Sequence, residues 1–250
     1  MEVSPNYALH TQNNRVNNPL LPNNLRLLIC GKSGSGKTIV LLNLLLNEGW
    51  LDWNKLFVFG KSLFQEEYEM LRKGIESGMT KKELRNLFQK SPGSDYEKLS
   101  CQFFTEPETI PDPSELSPED KNIFVFDDVL QCTQEKPAAY FTRSRHSNCD
   151  CIYISQNYFK VERGSVRENC NVIILFPQDQ KNLLHIYGDH ASSDISFPEF
   201  KQFCKRVWST KRNFVVIDLT STVENGKFRR NFKDFYFPDE LEQQISEGTT

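Results

Sequence analysis

The chain has 250 residues, a formal net charge of −3, 38% hydrophobic residues and 25% charged ones. That composition fits one mixed α/β domain and excludes a protein that grips nucleic acid by overall charge, although a ring can gather its Lys and Arg on one inner surface while its outside stays acidic. No apolar run reaches the roughly 18 residues of a membrane span, and the polar start MEVSPNYALHTQNN does not read as a signal peptide; an intracellular protein is expected, its seven cysteines being buried, reduced thiols.

Residues 1–24, rich in Asn and Pro, read as an irregular arm. LRLLIC (25–30) is a continuous apolar run, the pattern of a strand buried on both faces of a parallel sheet. GKSGSGKT follows at once. After it, TIVLLNLLLNEG predicts a helix whose apolar face carries Ile39, Leu42 and Leu45, with Gly49 as its C-cap. KLFVFG (55–60) is the next buried strand, and 63–90 is helical in pattern. An acidic, Pro-rich connection covers 106–121, where Ser117-Pro118 can start a short helix. NIFVFDDV (122–129) predicts a strand ending in two carboxylates, and a helical stretch runs on through Tyr140 and Arg145. CIYISQN (151–157), NVIILF (171–176) and NFVVIDL (213–219) read as strands, with helices near 178–187 and 197–207. A last hydrophobic piece, FKDFYF, closes a domain over 25–238, before a polar tail at 239–250. Strands alternating with helices predict an α/β fold, a mainly parallel sheet covered by helices on both faces.

Residues Gly31, Lys32, Ser33, Gly34, Ser35, Gly36, Lys37 and Thr38 satisfy G-x-x-x-x-G-K-[ST] between a strand and a helix. The glycines let backbone N–H groups close on phosphate oxygens, and the helix turns its positive end to them. Lys37 is expected to reach the β- and γ-phosphates of ATP, and the Thr38 hydroxyl to ligate Mg²⁺. Hydrolysis needs a further carboxylate on Mg²⁺, a role that fits Asp127 at the end of its strand; Asp128 is then placed to polarise the attacking water. Gln156, at the end of the 151–157 strand, can accept from that water and donate to the γ-phosphate. Arg143 and Arg145 lie between these two strands; such a cation either completes a neighbouring subunit's site or caps its own helix.

The P-loop, NIFVFDDVL, TRSRHSNCDCIYISQNYFKV and VRENCNVIILF together resemble the poxvirus-type genome-packaging ATPases of the FtsK–HerA superfamily of P-loop NTPases, over roughly residues 25–220. The resemblance implies an ATP-hydrolysing motor that translocates double-stranded DNA into a viral capsid. It also implies a hexameric or pentameric ring, a capsid or portal partner, and a place in the host cytoplasm or nucleus, or with the virion. By the family pattern Arg145 is similar to the trans-acting arginine and Gln156 to the sensor; Asp-Asp stands where many members carry Asp-Glu, and if Asp128 is not the base, Glu162 or a group supplied by a neighbouring subunit is a candidate. Two other readings are a small-molecule kinase, with Arg163 and Arg167 on a mobile lid, and an ATP-binding capsid-assembly scaffold without turnover. The densest basic stretches are Lys201, Lys205, Arg206, Lys211 and Arg212, then Lys227, Arg229 and Arg230.

Overall fold

The computed structural model describes residues 15–89 and 99–238. The first fourteen residues of the expected arm and the tail expected at 239–250 lie outside the described residues. Among the described residues nine strands form one sheet: β1 (Arg26–Cys30), β2 (Lys55–Gly60), β3 (Ser100–Phe104), β4 (Asn122–Asp127), β5 (Cys149–Ser155), β6 (Val172–Leu175), β7 (Val215–Asp218), β8 (Phe228–Arg230) and β9 (Asp234–Tyr236). Their order is β3-β2-β4-β5-β1-β6-β7-β8-β9. The six from β3 to β6 pair in parallel, and β7, β8 and β9 add an antiparallel flank.

The apolar runs are strands because both sides of the sheet are covered. Along β1, Leu28 and Cys30 join one core while Leu27 and Ile29 join the other. The first core takes helices α4 (Glu135–Arg143), α5 (Gln180–His190) and α6 (Phe197–Trp208); the second takes α1 (Lys37–Leu46), α2 (Glu66–Glu76) and α3 (Lys81–Gln89). This is the α/β sandwich expected from the alternation of strands and helices. Its first core is aromatic: Phe124 stacks on Phe57 at 5.7 Å and on Phe126 at 4.6 Å, and its ring centre lies 4.2 Å from that of Tyr140.

Several local expectations give way. The helical stretch over 63–90 is two helices, broken where Gly78 takes φ 78°. Strand β3 was not expected, since SCQFF is a short edge strand without a fully buried residue. Strand β8 is likewise unexpected, only three residues long. Ser117-Pro118 starts no helix; instead the connection holds two 3₁₀ turns, Pro107–Thr109 and Pro113–Glu115, the latter with a capping box from Asp112 and Glu115. Helix α1 is capped at Asn47 rather than Gly49. Helix α4 stops at Arg143, and Arg145 belongs to the 3₁₀ turn Ser144–Ser147. Ile39 is 47% exposed rather than part of the buried helix face, whose buried residues are Val40, Leu41, Leu42, Leu44, Leu45 and Leu46.

Residues 15–24 have no helix or strand, yet Arg15 is buried. Its guanidinium donates to Asp150 Oδ2 at 2.8 Å and to the carbonyls of Asn122 and Asn148 at 2.7 Å each. Asp150 also accepts from Asn17 Nδ2 and from the Leu25 N–H, each at 2.8 Å. This polar knot ties the arm to the starts of β1, β4 and β5, at the amino edge of the sheet.

Candidate active site

At the opposite, carboxyl edge, β1 delivers the glycine-rich loop. Gly34 and Gly36 take φ 72° and 112°, conformations that side chains rarely tolerate. Gly31 is required by space, since a Cβ there would lie 2.6 Å from the Phe176 Cβ. Helix α1 begins with no side-chain cap and no acidic residue in its first turn, so its leading N–H groups and dipole are left to attract an anion. The Ser35 Oγ is buried and has no hydrogen-bond partner among the described residues. Lys37 folds across the loop, its Nζ donating to the Gly31 carbonyl at 2.7 Å and the Lys32 carbonyl at 3.0 Å. Burial lowers the Lys37 pKa, opposed mainly by the Asp127 carboxylate.

A cleft of about 320 Å³ opens beside this loop. It is lined by Ser33, Gly34, Gly36, Lys37 and Thr38, by Asp127 and Asp128 after β4, and by Ser155 and Gln156 closing β5. Parallel pairing in register brings these segments together: Gly60 pairs with Asp127, and Cys30 with Ser155. Asp127 is 9% exposed and accepts from the Tyr68 hydroxyl at 2.7 Å. Burial pushes the Asp127 pKa up, Asp128 adds to that, and the Tyr68 hydroxyl and Lys37 oppose it. Asp128 leaves the strand at φ 53° and accepts from Gln156 Nε2 at 2.8 Å, so the carboxylate and amide face one another across two neighbouring strand ends. A backbone in the left-handed region at a non-glycine residue stores strain, and here it aims the carboxylate into the cleft.

The remaining cations and carboxylates lie elsewhere. The turn bearing Arg145 precedes β5, placing it at the amino edge, about 20 Å of strand away from the loop; its Nε meets His146 Nε2 at 3.4 Å. Arg143 pairs with Asp112 at 2.9 Å. Arg167 is buried, bonded to Asp189 at 2.7 Å and lying over the Tyr158 ring, which removes it from any mobile lid. Arg163 pairs with Glu168, and Glu162 caps its own turn through Ser165 and Gly164 and does not line the cleft. In the second basic stretch Arg229 is buried against Asp218, Lys227 binds Asp194 at 2.6 Å and Arg230 binds Asp234 at 2.8 Å, so these cations are committed to the fold. Sequence reasoning missed Gln65 and Glu67, which the start of α2 brings to the cleft, and the buried Tyr68, which holds Asp127 from behind. It placed Arg212 only in a basic stretch, yet Arg212 lines the cleft too. No motif marks them; Tyr68 meets Asp127 across 59 positions of chain.

No protein-family model and no curated protein sequence matches this chain. Among solved structures it is similar to the genome packaging NTPase B204 of Sulfolobus turreted icosahedral virus 2. In the B204 complex with sulfate, 12% of residues are identical over 86% of this chain and 99% of that one, with a TM-score of 0.52. The complex with ATP-gammaS also gives 12% identity and a TM-score of 0.52, over 84% of this chain and 98% of that one. B204, the DNA-packaging ATPase of Sulfolobus turreted icosahedral virus, gives 13% identity and a TM-score of 0.52, over 84% and 97%. The chain therefore has the P-loop NTPase fold of these packaging proteins. No helix among the described residues is long and apolar enough to cross a membrane.

Proposed function

We propose that this chain is an ATP-hydrolysing motor that moves double-stranded DNA into a viral capsid. The observation that carries the reading is the meeting, in one cleft, of the Lys37–Thr38 loop, the Tyr68-bound Asp127 carboxylate and the Asp128–Gln156 pair. The structural neighbours, a genome packaging NTPase and a DNA-packaging ATPase, support the direction of that chemistry.

In this reading residues Gly31 to Thr38 wrap the phosphates, with Lys37 leaving its two loop carbonyls to meet the β- and γ-phosphates. The Thr38 hydroxyl and the Asp127 carboxylate fit Mg²⁺, which takes six oxygen ligands and keeps several of them as water, so that one or two protein oxygens suffice; the carboxylate charge that burial disfavours would be offset by the cation. Mg²⁺ held there would neutralise the negative charge that builds up on the phosphates during transfer. Asp128 takes a proton from the attacking water and Gln156 orients that water against the γ-phosphate. Holding the water between two fixed side chains converts encounter into position, where most of the rate of phosphoryl transfer originates.

The amino-edge position of Arg145 bars it from its own subunit's phosphates, so its catalytic use requires a neighbour in a hexameric or pentameric ring. That ring would seat on a capsid or portal component and act in the host cytoplasm or nucleus, or with the virion. ATP turnover measured with and without double-stranded DNA tests the reading. DNA of any base sequence raises the rate, and its affinity falls steeply with salt as counterions are released. Mixing Lys37→Ala with Arg145→Ala subunits restores turnover if the arginine acts in trans. A rate indifferent to DNA but raised by a nucleoside or small alcohol favours a kinase, and absence of turnover in a chain that binds ATP favours an assembly scaffold.

A further inference from the structure

Strand β7 runs antiparallel to β6, so the residues that precede it emerge at the same edge as the P-loop. The register makes this concrete: Cys30, the last residue of β1, pairs with Leu175, and Leu175 with Val215. Arg212 stands three residues before Val215, beyond the ends of these strands, and lines the same cleft as Lys37, Asp127 and Asp128. It enters from the β6–β7 side, whereas Asp127, Asp128 and Gln156 enter from the β4–β5 side.

The turn that carries Arg212 is fixed on every side. The Asn213 N–H donates to the Thr210 carbonyl at 3.2 Å. Asn231 clamps the next residue twice: its N–H donates to the Phe214 carbonyl at 2.8 Å and its Oδ1 accepts from the Phe214 N–H at 3.2 Å. The Phe214 ring lies 5.6 Å from that of Phe176, the side chain against which Gly31 packs. The turn and the phosphate loop therefore share one wedge. Within this braced turn Arg212 holds φ 70°, a conformation costly for a residue with a Cβ and tolerated by Gly or Asn. Its side chain is exposed to the cleft.

Resting on the nucleotide reading above, we propose that Arg212 binds, within its own subunit, the end of the nucleotide remote from the γ-phosphate, its guanidinium on the α-phosphate. The direction follows from the other ligands. Asp127 and Gln156 fix the γ-phosphate near β4 and β5, and the loop backbone cradles the α- and β-phosphates, so the chain of phosphates runs from there across β1 towards β6 and Arg212. A planar fork of donors suits a phosphate that is neither transferred nor bridged by the metal. Because the α-phosphate is unchanged in the reaction, the contact is equal in ATP, ADP and the transition state: it sets affinity and leaves the chemical step alone.

The test uses the full chain and the variants Arg212→Gly and Arg212→Asn, which keep the backbone conformation and remove the charge. ATP and ADP are titrated by calorimetry, and kcat is read at saturating ATP. Both variants lose about tenfold in affinity for ATP and for ADP alike, the size of one charge-assisted hydrogen bond at a partly exposed site, and kcat stays within about twofold of wild type. Arg212→Lys recovers part of the loss. Unchanged affinity for both nucleotides overturns the proposal. So does a loss confined to ATP, or a fall in kcat at unchanged KM, since either would put the guanidinium at the γ-phosphate. Failure of the wild-type chain to bind either nucleotide would instead remove the nucleotide reading on which the proposal stands.

Discussion

At the amino edge of the sheet, Arg15 meets Asp150 with both side chains at most 1% exposed, and backbone carbonyls and Asn side chains take up the remaining donors. At the carboxyl edge, Lys37 bonds only loop carbonyls among the contacts the structure records, and Asp128 and Arg212 sit in left-handed conformations facing a cleft. The same strands supply both ends, so the difference is not one of scaffold. The buried pair at the amino edge defines the path of the arm, whereas the charges at the carboxyl edge face a cleft and two of them sit on strained backbone. In the proposed reading the first set is structural and the second meets the nucleotide.

Substitutions at the two edges should therefore fail in different ways. Lys37→Ala carries the largest effect: turnover falls by at least ~10³-fold with little change in melting temperature, as steady-state phosphate release and thermal unfolding will show. Arg15→Ala does the reverse, leaving Asp150 buried without its cation. We expect a loss of about 3–5 kcal/mol in denaturant unfolding, with nucleotide affinity of the folded fraction unchanged. A weaker test of the same contrast lies at His190, whose ring meets the Tyr158 hydroxyl at 2.6 Å. Burial pulls its pKa down to about 4, against an ordinary 6.5. Between those values the unfolded chain binds a proton that the folded chain does not, so this stability is full above pH 6.5 and is lost as the pH falls towards 4. The contribution is on the order of 3 kcal/mol, and His190→Gln should flatten that part of the pH dependence of unfolding while leaving turnover at neutral pH in place.

The parts of the cleft that are contiguous in the chain were legible in it. Gly31 to Thr38 form a single glycine-rich turn after β1, and Asp127-Asp128 and Gln156 announce themselves as polar residues ending apolar strands; the structure brings them to one cleft. What folding brings from afar was not legible. Tyr68 reaches Asp127 from α2 and Arg212 reaches the cleft from the turn before β7, and neither segment carries a periodic or spacing signal for that role. Arg15 reads as one more polar residue in an Asn-rich arm until Asp150, 135 positions later, is placed beside it. Strands were readable where both faces are buried, as in β1, β4 and β5, and unreadable at the edge in β3. The antiparallel sense of β7 was equally hidden, because a buried strand has the same composition in either direction.

The central claim is that the carboxyl-edge cleft cleaves ATP with Asp128 as the group that activates water. The most direct measurement pairs ATP binding with phosphate release for the wild-type chain and Asp128→Asn in the presence of Mg²⁺. The account predicts equal affinities and a rate about 10²-fold or more lower in the variant, the range of a lost general base. A folded Asp128→Asn chain that releases phosphate at the wild-type rate would contradict it, and would turn attention to Glu67, the carboxylate that lines the cleft beside Asp127 and Asp128.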